Sequence, residues 1–188
     1  STLWILLAYF LLNLLYSFFF KSVVLIDVFL IALGFILRLL AGAAAADVGL
    51  SAWILVTTFF LSLFLGFAKR KSQSGMEDRS REPDAAGSLY TGEYLNALVI
   101  VSMALTVASY SLYTISFMQR EGFRSDLMPV TIIFVAYGLF RYLYLIPIRE
   151  GTGDPVDIVW RDIPILIDIA LWLGWVLAVY LLPANQVR

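Results

Sequence analysis

Apolar residues fill six long stretches of the chain, roughly 2–20, 23–45, 51–68, 94–115, 128–147 and 163–182, and polar residues gather in the short segments between them. Each run approaches or exceeds the ~17–25 residues an α-helix needs to cross a ~30 Å hydrocarbon layer. The runs are continuous rather than alternating, and much longer than a barrel strand, so helices are predicted and a barrel is not. The expected architecture is all-α: a polytopic transmembrane helical bundle forming a single domain over residues 1–188, with the polar stretch 69–93 as a loop or cap. Lys21-Ser22 and Asp47-Val48-Gly49 read as tight turns, and Gly151-Thr-Gly153 is too short for a phosphate loop. Proline is confined to loops and helix ends, at 83, 129, 147, 155, 164 and 183. The chain opens at Ser1 inside an apolar run, with neither a basic leader nor a small-residue cleavage site. The expectation is a piece of a longer membrane protein.

Composition sharpens this. Of 188 residues, 61% are apolar and 14% charged, which leaves too little polar surface for a soluble domain. The net charge of −1 supplies no field that would recruit nucleic acid. With neither Cys nor His in the chain, thiolate chemistry and imidazole acid–base chemistry are excluded. Any metal would be held by oxygen ligands alone, as suits Mg²⁺.

Lys and Arg set the predicted orientation. Lys21, Lys69, Arg70, Lys71, Arg79, Arg81, Arg149 and Arg161 fall on one side of a six-crossing bundle, and only Arg120, Arg124 and Arg188 on the other. The positive-inside rule places the first set in the cytoplasm, in the cytoplasmic (inner) membrane, with any active face on that side.

The charges inside the apolar runs carry the chemical information, because each has a desolvation cost. Asp27, Arg141 and Asp168 lie about five residues in from the cytoplasmic ends of three different segments, ~7–9 Å deep at helical rise. Together they suggest one shared polar cavity open to the cytoplasm, either as a ligand wall or as a structural ion pair. Arg38 lies deeper and either snorkels or faces the interior. Lys69-Arg70-Lys71 ends the third segment, as a membrane flank or as a clamp for phosphate. Tyr90, Tyr94, Tyr142 and Tyr144 sit at predicted interfaces. Two classes survive on residues alone. One is an enzyme that joins a lipid to an activated, phosphate-bearing group. The other is a transporter or lipid carrier, which the absence of mid-segment proline disfavours.

Four strings then align with a family. They are Leu65-Gly-Phe-Ala-Lys-Arg-Lys71; Asp27 through Arg38 with Ala41-Gly42; Tyr137-Gly-Leu-Phe-Arg-Tyr-Leu-Tyr144; and Gly153-Asp-Pro155 with Arg161-Asp162-Ile-Pro164 and Asp168. Together they resemble the UbiA superfamily of intramembrane prenyltransferases, and within it the decaprenyl-phosphate phosphoribosyltransferase branch, over nearly the whole chain. The resemblance implies a nine-helix fold of which these six are the last. It implies transfer of phosphoribose from phosphoribosyl pyrophosphate to a polyprenyl phosphate, with Mg²⁺ and release of pyrophosphate, for cell-envelope polysaccharide. On the matching positions, Asp27, Arg141 and Asp168 are implied catalytic residues. Lys21, Lys69, Arg70, Tyr90, Tyr142 and Asp162 are implied to bind phosphate or ribose. The branch's first Asp-rich motif, which holds the metal, is absent here, so no metal ligand is assigned and this piece alone is expected to be inactive. Gln73 stands where an acidic residue is usual. An aromatic (4-hydroxybenzoate) polyprenyltransferase is the alternative within the superfamily, and Lys69-Arg70-Lys71 in place of a second Asp-rich motif argues against it. A homo-oligomer stays open.

Overall fold

A computed structural model describes residues 2–16, 18, 25–80, 92–121, 127–148 and 155–181. Seven helices follow in order: α1 (Thr2–Leu15), α2 (Ile26–Ala46), α3 (Ala52–Ser80), α4 (Gly92–Glu121), α5 (Thr131–Ile148), α6 (Pro155–Trp160) and α7 (Ile163–Leu181). Among the described residues there is no strand. Helix is the form that satisfies every backbone N–H and C=O within one segment, as hydrocarbon demands.

Five helical stretches are long and apolar enough to cross a bilayer: Ile26–Ala46, Ala52–Ser72, Gly92–Phe117, Leu127–Pro147 and Ile163–Leu181. Their outer faces present large apolar side chains such as Phe140, Leu171 and Leu177. This is a multi-pass helical membrane protein. The sixth apolar run is helix α1, described over 14 residues, shorter than the ~17–25 that span a bilayer.

The expected loop at 69–93 needs correction. Residues 69–80 continue α3 as helix. Lys, Arg, Gln, Glu and Met are strong helix formers, and no proline intervenes before Pro83. Residues 81–91 lie outside the described residues, as do Lys21-Ser22 and 149–154. The turn predicted at 47–49 is present. Asp47 closes α2 in the left-handed conformation, φ 54°, and its N–H bonds to the Ala43 carbonyl. A short polar side chain tolerates that geometry.

Helix α3 is the hub. It packs against α2, α4, α5 and α6, while α5 also holds α7, and among the described residues α1 packs on α2. The core around α3 is built from Val28, Phe64, Phe67, Leu95, Val99 and Ile146. A Cβ added at Gly66 would lie 2.5 Å from Val28 Cγ1, so α2 and α3 approach as closely as a side-chain-free position allows. Helix α4 keeps its polar residues quiet. The hydroxyls of Ser102, Thr106 and Ser109 each donate to carbonyls four residues earlier, at 2.7 Å.

Candidate functional site

The chain order makes the helices antiparallel neighbours, so the start of α2, the distal part of α3, the start of α4, the end of α5 and the start of α7 share one end of the bundle. Charged residues concentrate there, and each is placed by its helix.

Asp27 occupies the first turn of α2 and is fully buried. Arg70, on α3, reaches it with Nη2 at 2.6 Å and Nε at 3.1 Å, both on Oδ2. One residue on, Lys71 Nζ donates to Asn96 Oδ1 in the second turn of α4, at 2.8 Å. Lys69 is exposed on the same helix end. The cluster Lys69-Arg70-Lys71 therefore splits three ways, because successive helical residues point ~100° apart.

On the opposite flank, Arg141 of α5 makes a fork with Asp162: Nε to Oδ1 at 3.2 Å and Nη2 to Oδ2 at 3.0 Å. Asp162 also caps α7, its Oδ1 accepting the Ile165 N–H at 3.1 Å. The guanidinium carbon of Arg141 stands 5.5 Å from the Tyr144 ring centroid, a cation–π contact. Asp162 is buried, whereas Arg141 keeps 31% of its side chain exposed.

Asp168 is set apart. It is buried at 8% exposure, and among the described residues no hydrogen bond or ion pair reaches it. It lines an apolar cavity of about 380 Å³ between α3, α5, α6 and α7, with Phe64, Gly138, Tyr142 and Trp172 among the other walls. Gly138 backs it so closely that an added Cβ would sit 2.9 Å from Oδ2. Tyr142 is a cavity wall rather than an interfacial residue: it is buried and packs edge-on to Phe64, with centroids 5.5 Å apart. Beyond it, Trp172 Nε1 donates to the Tyr110 hydroxyl, which donates to Thr131, tying α7, α4 and α5 together.

These contacts revise the expected trio. Arg141 is paired with Asp162, not with Asp27 or Asp168, because the short helix α6 turns the chain back and sets the α7 cap against α5. Asp27 belongs to α3 through Arg70. The space around Asp168 is apolar rather than polar. Arg38, expected either to snorkel or to face the interior, is exposed and turned toward α1. It bonds to the Tyr9 hydroxyl of α1 through Nε, at 3.0 Å, and through Nη2, and it lies 5.1 Å from the Tyr9 and Phe35 ring centroids. Lys21 and Tyr90 lie outside the described residues. The sequence reading missed Asn96, Gly138 and Trp172. Asn96 had a signal, an amide one turn into an apolar run. Trp172, four residues after Asp168, shares its helix face.

Among the described residues no three acidic ligands converge, and Asp27 and Asp162 are each held by a guanidinium.

The fold and the site define a multi-pass membrane protein with, among the described residues, guanidinium–carboxylate pairs at one end and an apolar cavity lined by Asp168. No family model matches the chain. It is similar to decaprenyl-phosphate phosphoribosyltransferases: 28% identical over 167 residues to that of Mycolicibacterium smegmatis, covering 85% of this chain and 52% of that protein. The Corynebacterium glutamicum protein of the same name is 27% identical, with 89% and 51% covered. That of Mycobacterium tuberculosis is 25% identical, with 92% and 56% covered. The chain spans about half the length of these curated relatives. They carry the name of the branch that the residue strings resemble.

Proposed function

We propose that the protein carrying this chain transfers 5-phosphoribose from phosphoribosyl pyrophosphate to a polyprenyl phosphate of the decaprenyl type. The reaction takes place at the cytoplasmic face of the cytoplasmic membrane and supplies a lipid-linked pentose for cell-envelope polysaccharide. The similarity of 85–92% of the chain to phosphoribosyltransferases carries this reading. In the reaction a lipid phosphate oxygen bonds to the ribose anomeric carbon, the bond from that carbon to pyrophosphate breaks, and pyrophosphate leaves with the electron pair. The attacking phosphate is already an anion, so no His or Cys base is required, which suits a chain that has neither.

Charge stabilisation is then the main demand. Arg70 and Arg141 supply it as planar forks matched to phosphate oxygens. Asp27 and Asp162 hold those forks in place before substrate arrives, and Lys69 adds a point charge at the rim. Magnesium belongs to the proposal as a neutraliser of pyrophosphate charge. The substrate's own phosphates would be its principal ligands on this part of the protein.

The test is transfer of radiolabel from phosphoribosyl pyrophosphate into the organic phase, using membranes that contain the full-length protein, Mg²⁺ and polyprenyl phosphate. Labelled lipid supports the reading. No labelled lipid, with an aromatic acid prenylated or a solute taken up instead, overturns it.

A further inference from the structure

Asp168 has the wrong sign for the substrates proposed above. Phosphoribosyl pyrophosphate and a polyprenyl phosphate are both anions, which Arg70, Arg141 and Lys69 answer at the charged end. Asp168 lies six residues beyond Asp162, ~9 Å deeper along α7. Asp27 and Asp162 each have an arginine, whereas Asp168 is buried and among the described residues has no cation beside it. An ionised carboxyl in apolar surroundings is costly until a counter-charge joins it.

The cavity in front of Asp168 narrows what that counter-charge is. Its volume, about 380 Å³, falls within the ~300–1,000 Å³ of small-molecule sites. Phe64, Phe134, Tyr142 and Trp172 give the wall its aromatic rings, and among the lining residues Asp168 alone is charged. The Trp172 N–H is already given to the Tyr110 hydroxyl. Gly138 leaves the carboxylate its place, since an added Cβ would stand 2.9 Å from Oδ2. A hard metal ion needs about six oxygen ligands, and this wall offers one carboxylate among apolar side chains. An organic cation on a hydrocarbon chain is the better complement. The carboxylate neutralises its charge, ring faces attract an ammonium group, and the chain lies against aliphatic side chains such as Leu61 and Ile169.

We infer that this cavity is a binding site for a lipophilic ammonium ion, a protonated or quaternary amine carried on an alkyl chain, with Asp168 as its counter-ion. The site is distinct from the phosphate-binding end, where Arg70, Arg141 and Lys69 would repel the same ligand.

The experiment is photolabelling of the full-length protein in vesicles with two probes of one shape, and labelled residues are mapped by mass spectrometry. One probe is a dodecyltrimethylammonium ion bearing a diazirine near its head. The other is its uncharged isostere, with carbon in place of the quaternary nitrogen. Phe64 is the cavity reporter, being fully buried and part of the wall. Leu177, 57% exposed on α7, reports how much of each probe the bilayer holds. Normalised to Leu177, the cation should label Phe64 at least about tenfold more than the isostere, equivalent to ~1.4 kcal/mol. Asp168→Asn should remove that excess and leave labelling by the isostere unchanged.

Three results overturn the proposal. They are absence of Phe64 labelling by the cation, equal normalised labelling by the two probes, and an excess that survives Asp168→Asn. Equal labelling would mean an apolar pocket whose carboxyl stays neutral. If Asp168→Asn does not insert, the comparison of the two probes on the unaltered protein decides the matter. The labelling requires no turnover, so its outcome stands or falls apart from the proposed reaction.

Discussion

Removing Arg70 should damage this protein more than removing its partner Asp27, and the asymmetry can be worked from the structure. The two side chains are joined by Nη2 and Nε, at 2.6 and 3.1 Å, on a single carboxylate oxygen. Asp27 is fully buried at the α2–α3 contact, whereas Arg70 keeps 19% of its side chain exposed. Arg70→Ala takes the guanidinium from a fully buried carboxylate, and breaking a buried pair in this way costs about 3–5 kcal/mol. Asp27→Ala leaves a long cation that can swing toward the aqueous end, so the loss is nearer that of a charged hydrogen bond, about 1.5–3 kcal/mol. The double substitution Asp27→Ala/Arg70→Ala should be milder than Arg70→Ala alone, since no buried charge remains. Unfolding in mixed micelles, followed by far-UV circular dichroism for all four proteins, measures each loss and the coupling between sites. If Arg70→Ala proves no more destabilised than Asp27→Ala, or the double variant is the sum of the singles, the burial argument fails.

Asp162→Ala removes both the α7 cap and the fork that holds Arg141. It should lower stability by about 1 kcal/mol from the cap alone and also abolish transfer, whereas Asp162→Asn should keep part of the cap and restore stability before activity. Arg141→Lys retains the charge and loses the bidentate geometry, so phosphoribosyl transfer by the full-length protein should fall at least ~10-fold with insertion unchanged, as radiolabel in extracted lipid would show. Gly66→Ala forces a methyl into Val28 and should cost about 1–3 kcal/mol in the same unfolding assay, with Val28→Ala restoring much of it. Trp172→Phe cuts the link to Tyr110 and should cost about 0.6 kcal/mol, the mean for a hydrogen bond between membrane helices; a loss above ~2 kcal/mol would show that the α4–α5–α7 junction acts as a unit.

The sequence by itself determined the solvent and the secondary structure. Apolar runs of bilayer length leave helix as the form that satisfies the backbone, and the crossing α-helices fall close to where the runs predicted them. It also singled out Asp27, Arg141 and Asp168, because an ionisable group inside a membrane segment is costly whatever it touches. What it could not determine was the pairing. Depth along a helix is legible from residue counting, but azimuth relative to a neighbour depends on how the helices rotate and cross. Residue counting gives Asp27, Arg141 and Asp168 one depth, and they still separate into different contacts, since Asp27 faces α3, Arg141 meets the cap of α7, and Asp168 looks into an apolar cavity. The same limit hid Gly138 and Trp172, whose roles exist only where α5 and α7 meet. Those contacts are made by packing between helices distant in sequence, and only the tertiary structure decided them.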